Sequence, residues 1–402
     1  MGERVVLGMS STVDDEIVWD EVTLANLVVE LGIEPHDLGR RESVEDLRGL
    51  VAALLSHVAE GSGAEHYVST PGPLAQFVAR FENRRTLGGT GVRAGIVLAA
   101  TGVSSVAVMA AADPDVHRLL PASCRAVAAW EADALVPHLI VQYPAGASVR
   151  VGDQMVVAPA PNRVIFAHDE PNEELLIPDE FPDLVAGASV ILLSSLNAIR
   201  DEALLDRRLD QLCAALRGAA PDASVIWEDA GYHAAGFALR VARALADHVH
   251  AVSMNDDELQ AYLARPVDLL DADEVARAVS EVRELLGART LIVHTRWWSL
   301  AIGLDAERYR AALRAGISMA SARYEFGDAI DATSVATAAR WPSDPRSIRV
   351  AESLTERGVV CEPGVVPPTS SPTTIGLGDA FAGGLVGSLA RQRRLGTQPH
   401  EG

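Results

Sequence analysis

Residues Thr373–Gly384 read TTIGLGDAFAGG. A glycine-leucine-glycine turn is followed at once by Asp379 and then by small apolar residues, a pattern typical of a tight turn that opens a buried helix. Two interpretations of the carboxylate are open. Asp379 caps the helix, or it is a base beside an anion site formed by glycine amides and the helix N-terminus.

The second interpretation needs a fold in which a helix start meets a ligand site, and the upstream sequence predicts such a fold. Short apolar runs alternate with amphipathic helical stretches; the runs include ASVILLSSL, ASVIWEDAG, VHAVSMN and TLIVHT. This alternation predicts an α/β fold with a central, mostly parallel sheet and helices on both faces. In such sheets, ligands bind at the carboxyl ends of the strands.

The region from His138 to Asp169 has a different character. Its short apolar runs HLIVQYPAG, SVRVGDQMVVAP and NRVIFAHD are separated by Pro, Gly and Asp, which predicts an antiparallel patch. We therefore expect a smaller β-rich lid beside the large domain. The predicted large domain comprises residues 1–13, 70–120 and 173–402, and the predicted lid comprises segments near 14–69 and 121–172.

The composition restricts both partners and chemistry. The 402 residues carry a formal net charge of −21, and such an acidic surface argues against nucleic acid and anionic membranes, which need clustered positive charge. None of the 34 basic residues is a lysine. This excludes a Walker A lysine, a kinase strand lysine and a Schiff-base lysine. A phosphate ligand would have to be held by backbone amides, arginine and a metal ion.

Targeting signals are not evident in the sequence. Cys124, Cys213 and Cys361 are far apart and have no zinc-binding spacing, which favours a reducing, cytoplasmic compartment. The charged start MGERVVLGMSSTVDDE lacks the apolar core of a signal peptide. The uncharged stretch Ala94–Ala112 is broken by TG and SS, so it predicts a helix, a turn and a strand rather than a membrane span.

Polar and glycine-rich segments next to predicted strands are the candidate site residues. Asp14 lies in SSTVDDE after the first strand and is either a ligand-binding carboxylate or part of a solvated acidic turn. Gly88 and Gly89 lie in GGTGVRAG before a helix. They form either a ligand-binding turn or a point of tight strand–helix packing.

Acidic residues follow two neighbouring strands. Asn255 and Glu258 are three positions apart at a predicted helix start, so they lie on one face. They form a capping box, or they hold a hydrated Mg²⁺. Glu228 and Asp229 follow the preceding strand and would extend an acidic patch that faces the metal.

In this order along the chain, these motifs resemble the ADP-dependent sugar kinases, the glucokinase and phosphofructokinase family of the ribokinase-like superfamily. TTIGLGDAFAGG is the strongest match, SMNDDEL resembles the family's NxxE motif, and VIWED resembles its HxE motif at the glutamate. LGGTGVRAG resembles the GGxxG turn, and GMSSTVDD resembles the turn after the first strand. The resemblance extends over roughly residues 4–390.

The resemblance implies a ribokinase-like large domain, a β-rich lid and a role for each matching residue. Asp379 would be the base that takes the proton of the sugar hydroxyl, and the amides of Gly376, Leu377 and Gly378 would form the anion hole. The other implied roles are Mg²⁺ binding by Glu228, Asn255 and Glu258, binding of the sugar by Asp14, Gly88 and Gly89, and nucleotide contacts from Thr374 and His294.

Three of the matching segments depart from the family pattern. Ile226 stands where HxE has its histidine, and Ser10, Ser11 and Thr12 replace an asparagine-rich first turn. Arg93 lies within a glycine-rich turn whose spacing is longer than usual. We expect Arg93 either to bind a sugar phosphate or to lie at the surface, with the surface position preferred.

We therefore predict a cytoplasmic enzyme of carbohydrate metabolism, such as glycolysis, that transfers a phosphoryl group from ADP to a hydroxyl of a hexose or hexose phosphate. Mg²⁺ is the expected cofactor and AMP the product. The expected partners are a sugar and a nucleotide, and the expected state is a monomer or a small homo-oligomer. Two alternatives remain open: an ATP-dependent ribokinase-like sugar or nucleoside kinase, and a sugar- or nucleotide-binding protein without turnover.

Overall fold

Two sheets of different size organise the chain in the computed structural model, which describes residues 5–39, 43–232, 236–368 and 373–396. One sheet has nine strands and the other has six, and two further strands, β9 and β10 below, form a separate pair. The strands are β1 (Val5–Leu7), β2 (Thr12–Ile17), β3 (Ser43–Val44), β4 (Ala64–Val68), β5 (Asn83–Gly88), β6 (Ser105–Ala112), β7 (Cys124–Glu131), β8 (His138–Tyr143), β9 (Ser148–Val151), β10 (Gln154–Val157), β11 (Asn162–Ala167), β12 (Val190–Leu193), β13 (Ser224–Glu228), β14 (Ala251–Asn255), β15 (Thr290–His294), β16 (Trp298–Gly303) and β17 (Val360–Pro363).

Helices alternate with most of these strands. They are α1 (Glu21–Glu30), α2 (Leu47–Glu60), α3 (Gly72–Val78), α4 (Thr90–Ala100), α5 (Pro114–Leu119), α6 (Glu170–Glu174), α7 (Phe181–Ala186), α8 (Glu202–Leu216), α9 (Phe237–Leu245), α10 (Asp256–Leu263), α11 (Ala272–Leu286), α12 (Arg310–Phe326), α13 (Ala332–Ala338), α14 (Pro345–Glu356) and α15 (Leu377–Gly396). Short 3₁₀ turns cover Pro35–Asp37, Leu196–Ala198, Ala306–Tyr309 and Gly327–Ala329.

The large sheet has the order β17-β16-β15-β14-β13-β12-β1-β6-β7. Neighbouring strands are parallel from β15 through β7, and β16 is antiparallel to both β15 and β17. Such a sheet buries both faces, which explains why its strands are continuous apolar runs. The predicted mostly parallel central sheet is confirmed.

Two apolar layers cover the large sheet. One layer joins the sheet to α7, α8, α9, α11 and α14 through residues such as Leu205, Val241 and Val279. The other joins it to α4, α12 and α15 through residues such as Leu98, Leu313 and Leu385. Because α15 packs in this second layer, its N-terminus lies beside the carboxyl ends of the strands.

The small sheet has the order β3-β4-β11-β8-β2-β5. As predicted for the region 138–169, β8 and β11 are antiparallel, and so are β9 and β10. The sheet as a whole is mixed, since β2 with β8 and β4 with β11 are parallel. Helices α1, α2 and α3 cover one face of this sheet through residues such as Leu27, Leu54 and Phe77.

Sheet membership differs from the predicted domain segments at two strands. β5 lies in the segment 70–120, which we assigned to the large domain, but it pairs with β2 in the small sheet. β7 lies in the segment 121–172, which we assigned to the lid, but it pairs with β6 in the large sheet. Composition alone does not separate these strands, because both are short runs that could pair in either sheet.

The uncharged stretch Ala94–Ala112 is divided between α4 and β6, as predicted. Among the helices that the structure describes, none combines the length and the apolar composition that a bilayer span requires.

Candidate active site

A cleft of about 570 Å³ is lined by residues of both sheets. Its large-sheet wall comes from the carboxyl ends of β12 to β15 and from the start of α15, where α/β folds bind ligands. With one exception, every residue that the sequence predicted for the site lines this cleft: Asp14, Gly88, Gly89, Arg93, Glu228, Asn255, Glu258, His294, Gly376, Leu377, Gly378 and Asp379.

The exception is Thr374, which we predicted to contact the nucleotide. Its amide nitrogen lies 2.9 Å and its Oγ1 lies 3.1 Å from Oε1 of Gln142, to which both donate. Thr374 therefore joins the segment before α15 to β8 of the small sheet, and it is not among the residues that line the cleft. A nucleotide contact at this position stays a prediction.

The small-sheet wall follows from the two-residue period of a strand. In β8, His138 and Ile140 line the cleft, while Leu139 and Val141 belong to the core under α1 to α3. In β11, Arg163 likewise lines the cleft. One face of the small sheet is thus buried and the other is presented to the cleft, because successive side chains of a strand point to opposite faces.

The start of α15 has the turn that its sequence predicts. Gly376 has φ of +69°, a left-handed conformation that glycine adopts without strain. Its carbonyl accepts the first helical hydrogen bond, from the amide of Ala380 at 3.0 Å. The amides of the first helical turn have no acceptor within a helix, and they carry the positive end of its dipole. This end of α15 can therefore bind an anion.

Asp379 is the third residue of α15, and its side chain is 23% exposed. In the part of the chain that the structure describes, its carboxylate accepts no capping hydrogen bond from a backbone amide. Its nearest charged neighbour is Arg93, whose Nε lies 3.9 Å from Oδ2 of Asp379. The cap interpretation therefore finds no support in the geometry, and the carboxylate remains accessible to a bound hydroxyl.

Asp14 lies within β2 and is 2% exposed, so the interpretation as a solvated acidic turn is wrong. Thr12 Oγ1 donates to Oδ1 of Asp14 at 2.6 Å, and Arg93 Nη2 donates to Oδ2 at 2.8 Å. The preferred surface position of Arg93 is also wrong, because this residue is 8% exposed. Helix α4 packs against β5 and β6, which places Arg93 inside the cleft.

The glycine pair leaves room for this network. A Cβ at Gly88 would lie 2.2 Å from Thr12 Oγ1 and 2.4 Å from Asp14 Oδ2. Gly89 has φ of +86°, and a Cβ there would lie 2.6 Å from the carbonyl oxygen of Ser10. The turn therefore permits close approach of β5 to the acidic end of β2, which is tight packing between strands rather than the predicted packing of a strand against a helix. A ligand contact of the two glycines stays a prediction.

Glu228 is the last residue of β13, Asp229 follows it directly, and both are under 10% exposed. Oε2 of Glu228 and Oδ1 of Asp229 are buried without a hydrogen-bond partner among the described residues. Burial raises the pKa of Asp229 to about 7, against the opposing effect of the hydrogen bond from Tyr262. A buried carboxylate oxygen without a donor is costly, so this pair favours a cation or a polar ligand in the cleft.

Asn255 and Glu258 form the capping box that their spacing predicts. Oε2 of Glu258 accepts from the Asn255 amide at 2.7 Å, and Oδ1 of Asn255 accepts from the amides of Asp257 and Glu258. Burial raises the pKa of Glu258 to about 8. The capping interpretation is thus confirmed, and both residues also face the cleft.

The carboxylates in the cleft suit a Mg²⁺ ion that has few protein ligands. Among the described residues, no three His, Cys, Asp or Glu side chains converge as a complete metal cluster. Mg²⁺ seldom needs one, because it keeps several waters and binds through one or two carboxylates together with substrate phosphates. Oε2 of Glu228 is a carboxylate oxygen without another partner among the described residues, so it suits this role. Glu258 lines the same cleft.

His294 ends β15, and its Nε2 lies 2.9 Å from Oε1 of Glu228. Its ring stacks on Phe381 with centroids 4.4 Å apart. Burial would lower the pKa of His294, but the neighbouring carboxylates, above all Glu228, raise it. Ile226, at the histidine position of HxE, is fully buried in the core. The imidazole that contacts Glu228 therefore comes from the end of β15 and not from position 226.

Several cleft residues were missed by the sequence analysis. His138 Nε2 lies 2.8 Å from Oδ2 of Asp169, and Asn172 donates to the same oxygen at 2.7 Å. Oδ1 of Asn172 is buried without a partner among the described residues. The alternation in HLIVQY could have identified His138, because it places His138 on the face opposite Leu139, Val141 and Tyr143. The other two lie in a loop and a short helix without a periodic signal.

Known structures share this arrangement of elements. A phosphofructokinase from Pyrococcus horikoshii OT3 with AMP has a TM-score of 0.76 at 16% identity, over 98% of this chain and 99% of that chain. An ADP-dependent kinase in complex with fructose-6-phosphate and ADPβS has a TM-score of 0.73 at 15% identity, over 97% and 94%. At these identities the likeness establishes the fold. No curated protein matches the sequence.

The sequence itself matches a family description over almost its whole length. The model of the ADP-specific Phosphofructokinase/Glucokinase conserved region covers residues 3–386. The resemblance inferred from the motifs is confirmed by this match, and so are the α/β fold and the enzyme class of sugar kinase. The chain belongs to the ADP-specific phosphofructokinase/glucokinase family of ADP-dependent sugar kinases.

Proposed function

We propose that the protein transfers the terminal phosphoryl group of ADP, with Mg²⁺, to a hydroxyl of a phosphorylated hexose of the fructose 6-phosphate type and releases AMP. One observation carries this proposal. A single cleft brings the glycine turn and Asp379 at the start of α15 together with Asp14 on the small sheet and with the unpartnered Oε2 of Glu228. Phosphoryl transfer depends mainly on such positioning and on charge stabilisation.

The acceptor side is the small-sheet wall. Asp14 accepts hydrogen bonds from Thr12 and Arg93, and a carboxylate has further lone pairs for sugar hydroxyls. The reacting hydroxyl lies beside Asp379. As its oxygen forms the new bond to phosphorus, its proton passes to the Asp379 carboxylate, and the bond from phosphorus to the bridging oxygen of ADP breaks, leaving AMP.

The donor side is the start of α15. The amides of Gly376, Leu377 and Gly378 donate hydrogen bonds to the oxygens of the transferring group, and the helix dipole stabilises their negative charge. Glu228 and Glu258 would bind Mg²⁺. The capping box with Asn255 holds Glu258 in place. When bound, the ion neutralises charge on the phosphates. Closure of the small sheet over the cleft excludes water, which would otherwise attack the donor.

Two arginines support a phosphorylated acceptor over a free hexose. Arg163 on β11 and Arg200 line the cleft, and Arg200 lies over the Tyr67 ring, 4.2 Å from its centroid. No hydrogen bond or ion pair within the described residues engages the Arg163 guanidinium. Guanidinium groups bind phosphate through paired hydrogen bonds, so these two suit the acceptor's existing phosphate.

The test is a matrix of donors and acceptors with Mg²⁺. ADP and ATP are each offered with glucose and with fructose 6-phosphate, and the sugar product and AMP are quantified for the wild type, Asp379→Asn and Arg163→Leu. We expect ADP with fructose 6-phosphate to give the highest kcat/KM, and Asp379→Asn to lower kcat by about 10²–10⁴-fold. Arg163→Leu should raise KM for fructose 6-phosphate and leave KM for ADP unchanged. Chelation of Mg²⁺ should abolish turnover.

Each arm of this matrix can contradict one part of the proposal. Turnover with ATP and none with ADP would overturn the donor. Preference for glucose would overturn the phosphorylated acceptor and leave the kinase assignment standing. Full activity of Asp379→Asn would remove this residue as the base.

A further inference from the structure

Arg93 is the buried cation at the centre of the cleft, and the mechanism above assigns it no step of its own. We propose that Arg93 is a positioning residue that couples the acceptor-binding carboxylate Asp14 to the base Asp379. This inference rests on the proposed function, because it assumes those two roles. In this role Arg93 positions the reacting groups and balances their charge, and it does not bind a sugar phosphate.

The contacts of Arg93 connect the two walls of the cleft. Its Nη2 donates to Asp14 at 2.8 Å and lies 3.5 Å from Oε1 of Glu16. Its Nε lies 3.9 Å from Oδ2 of Asp379. Asp14 and Glu16 belong to β2 of the small sheet, and Asp379 belongs to α15 beside the large sheet. One guanidinium therefore contacts both the acceptor wall and the catalytic helix.

The backbone places this side chain with little freedom. The Arg93 amide donates to the carbonyl of Gly89 at 2.9 Å, so the residue lies in the first turn of α4, directly after the glycine pair. On the other side, a Cβ at Gly376 would lie 3.0 Å from both Cδ and Nη1 of Arg93. The glycine turn before α15 therefore packs against the Arg93 side chain. This contact fixes the position of the guanidinium relative to the turn.

The charge balance gives the second reason. Three carboxylates surround this one guanidinium: Asp14, Glu16 and Asp379. Burial would lower the pKa of Arg93, but Asp14 and Asp379 outweigh it and raise this pKa. Without the cation, these three carboxylates would repel one another and move apart. Asp379 would then leave the position from which it reaches the acceptor hydroxyl.

Other charged groups complete the surroundings. Asp328, in the 3₁₀ turn after α12, has a lowered pKa to which Arg93 contributes, after the larger effect of Arg323. His294 of β15 lies on the other side of the turn, with Cε1 3.5 Å from a Cβ built at Gly378. Arg84 pairs with Glu16 and Asp328. None of these described groups places a second cation between Asp14 and Asp379.

The test compares Arg93→Met and Arg93→Lys with the wild type in the ADP-dependent assay. We expect Arg93→Met to lower kcat about 10- to 100-fold, because misplacement of the reacting groups by about 1 Å has effects of that size. The loss should appear in kcat, with KM for fructose 6-phosphate changed little, because the reacting groups rather than the ligand contacts are misplaced. Arg93→Lys should also lose kcat, since lysine keeps the charge but lacks the planar fork.

The chain offers a matched control one residue along the same strand. Asp15 points to the opposite face of β2 and receives Nε and Nη2 of Arg85 at 2.9 and 3.0 Å. Neither residue lines the cleft. Arg85→Met also removes an arginine–aspartate pair next to the cleft and should leave kcat and both KM values unchanged.

The outcomes separate this inference from the proposed function. An active wild type with an inactive Asp379→Asn, together with an unchanged kcat in Arg93→Met, would overturn only the coupling. An increase in KM for fructose 6-phosphate alone would also overturn it, because that result indicates a phosphate ligand. If Arg93→Met does not fold, Arg93→Lys decides: a wild-type kcat in this variant contradicts the positioning role. A wild type without ADP-dependent turnover would instead refute the proposed function.

Discussion

At the scale of single residues, the site depends on side chains that are absent as much as on those that are present. Gly88 and Gly376 each lie against a charged group that a methyl group would displace: Asp14 for the first and Arg93 for the second. Glycine at these positions therefore serves close packing against a polar network, in addition to the positive φ that Gly376 requires.

The first prediction concerns Gly88→Ala. The added Cβ would overlap Thr12 Oγ1 and Asp14 Oδ2 at 2.2 and 2.4 Å, so the two side chains must move apart. We expect KM for the acceptor to rise about tenfold or more and KM for ADP to change little, because Asp14 lies on the acceptor wall. Steady-state kinetics with each substrate varied measures both constants.

Gly72→Ala is the control for this substitution. A Cβ there would have only Gln76 Nε2 at 3.7 Å as its neighbour, and Gly72 lies outside the cleft. Its kinetic constants should match those of the wild type. Equal KM increases for both substrates in Gly88→Ala would indicate a general distortion and contradict the prediction.

At the scale of elements, α15 connects the core to the chemistry. It packs against α12 and α4 through small residues, and Gly384 approaches the carbonyl of Ala315 so closely that a Cβ would lie at 2.5 Å. On the same helix, Phe381 stacks on His294. If α15 shifted against α12, Phe381 would therefore displace the imidazole of His294, which contacts Glu228.

A second prediction tests this connection with Gly316→Ala on α12. The new Cβ would lie 2.5 Å from Cε2 of Phe381, so the ring must turn toward His294. We expect the free energy of unfolding to fall by about 1–3 kcal/mol, as for other overpacked cores, and the Mg²⁺ concentration for half-maximal activity to rise. Gly39→Ala, with open space around its Cβ, should change neither quantity. A stability loss with unchanged Mg²⁺ dependence would refute the connection.

The ion pair of His138 on β8 with Asp169 before α6 gives a third prediction. Burial would lower the pKa of His138, but Asp169, together with Asp14 and Glu65, raises it from 6.5 to about 9. A raised pKa in the folded state stabilises the protein fully below the unfolded value near 6.5, and this contribution is lost as the pH rises through about 9. His138→Gln should therefore unfold more easily than the wild type at pH 6, by on the order of 2 kcal/mol.

The measurement is a series of denaturant unfolding curves from pH 6 to pH 10 for both proteins. The difference in free energy of unfolding should shrink steadily toward the alkaline end. His117→Gln is a suitable control, because His117 forms an exposed pair with Glu131 and such pairs contribute little. A difference for His138→Gln that stays constant with pH would show that the imidazole is neutral in the fold.

At the scale of the whole molecule, the cleft belongs to both sheets. Its walls include β2, β8 and β11 of the small sheet and the ends of β13, β14 and β15 of the large sheet. A ligand that fills the cleft would contact both parts of the chain at once. Binding would therefore stabilise the molecule as a unit, in addition to positioning the substrates.

This gives a fourth prediction for Asp379→Asn, which should bind but not turn over. ADP with Mg²⁺ and fructose 6-phosphate, each at about 100 times its Kd, should each stabilise the folded state by about 2.7 kcal/mol. The shift in Tm should be largest with both ligands present. Thermal unfolding with each ligand alone and with both measures this. A protein stabilised by neither ligand would contradict the proposed cleft.

Much of this molecule was predictable because its signals are local. The period of the apolar runs predicted the strands and helices, and the glycine turn with Asp379 predicted the start of α15. Glu228 at the end of β13 and Glu258 shortly after β14 line one cleft, as their positions after neighbouring strands predicted, because the ends of neighbouring parallel strands meet at one edge. The pairing of β5 and β7 was not predictable in this way, since a strand's partner depends on contacts far along the chain.

The sequence by itself determined the order of the elements, the lysine-free chemistry and the residues at the strand ends. The tertiary structure alone decided which face of the small sheet lines the cleft, that Thr374 bonds to Gln142, and that Arg93 is buried against Asp14. Asp14 and Arg93 are 79 positions apart. Local sequence patterns do not encode a contact of that separation, because it exists only once β2, β5 and α4 have packed together.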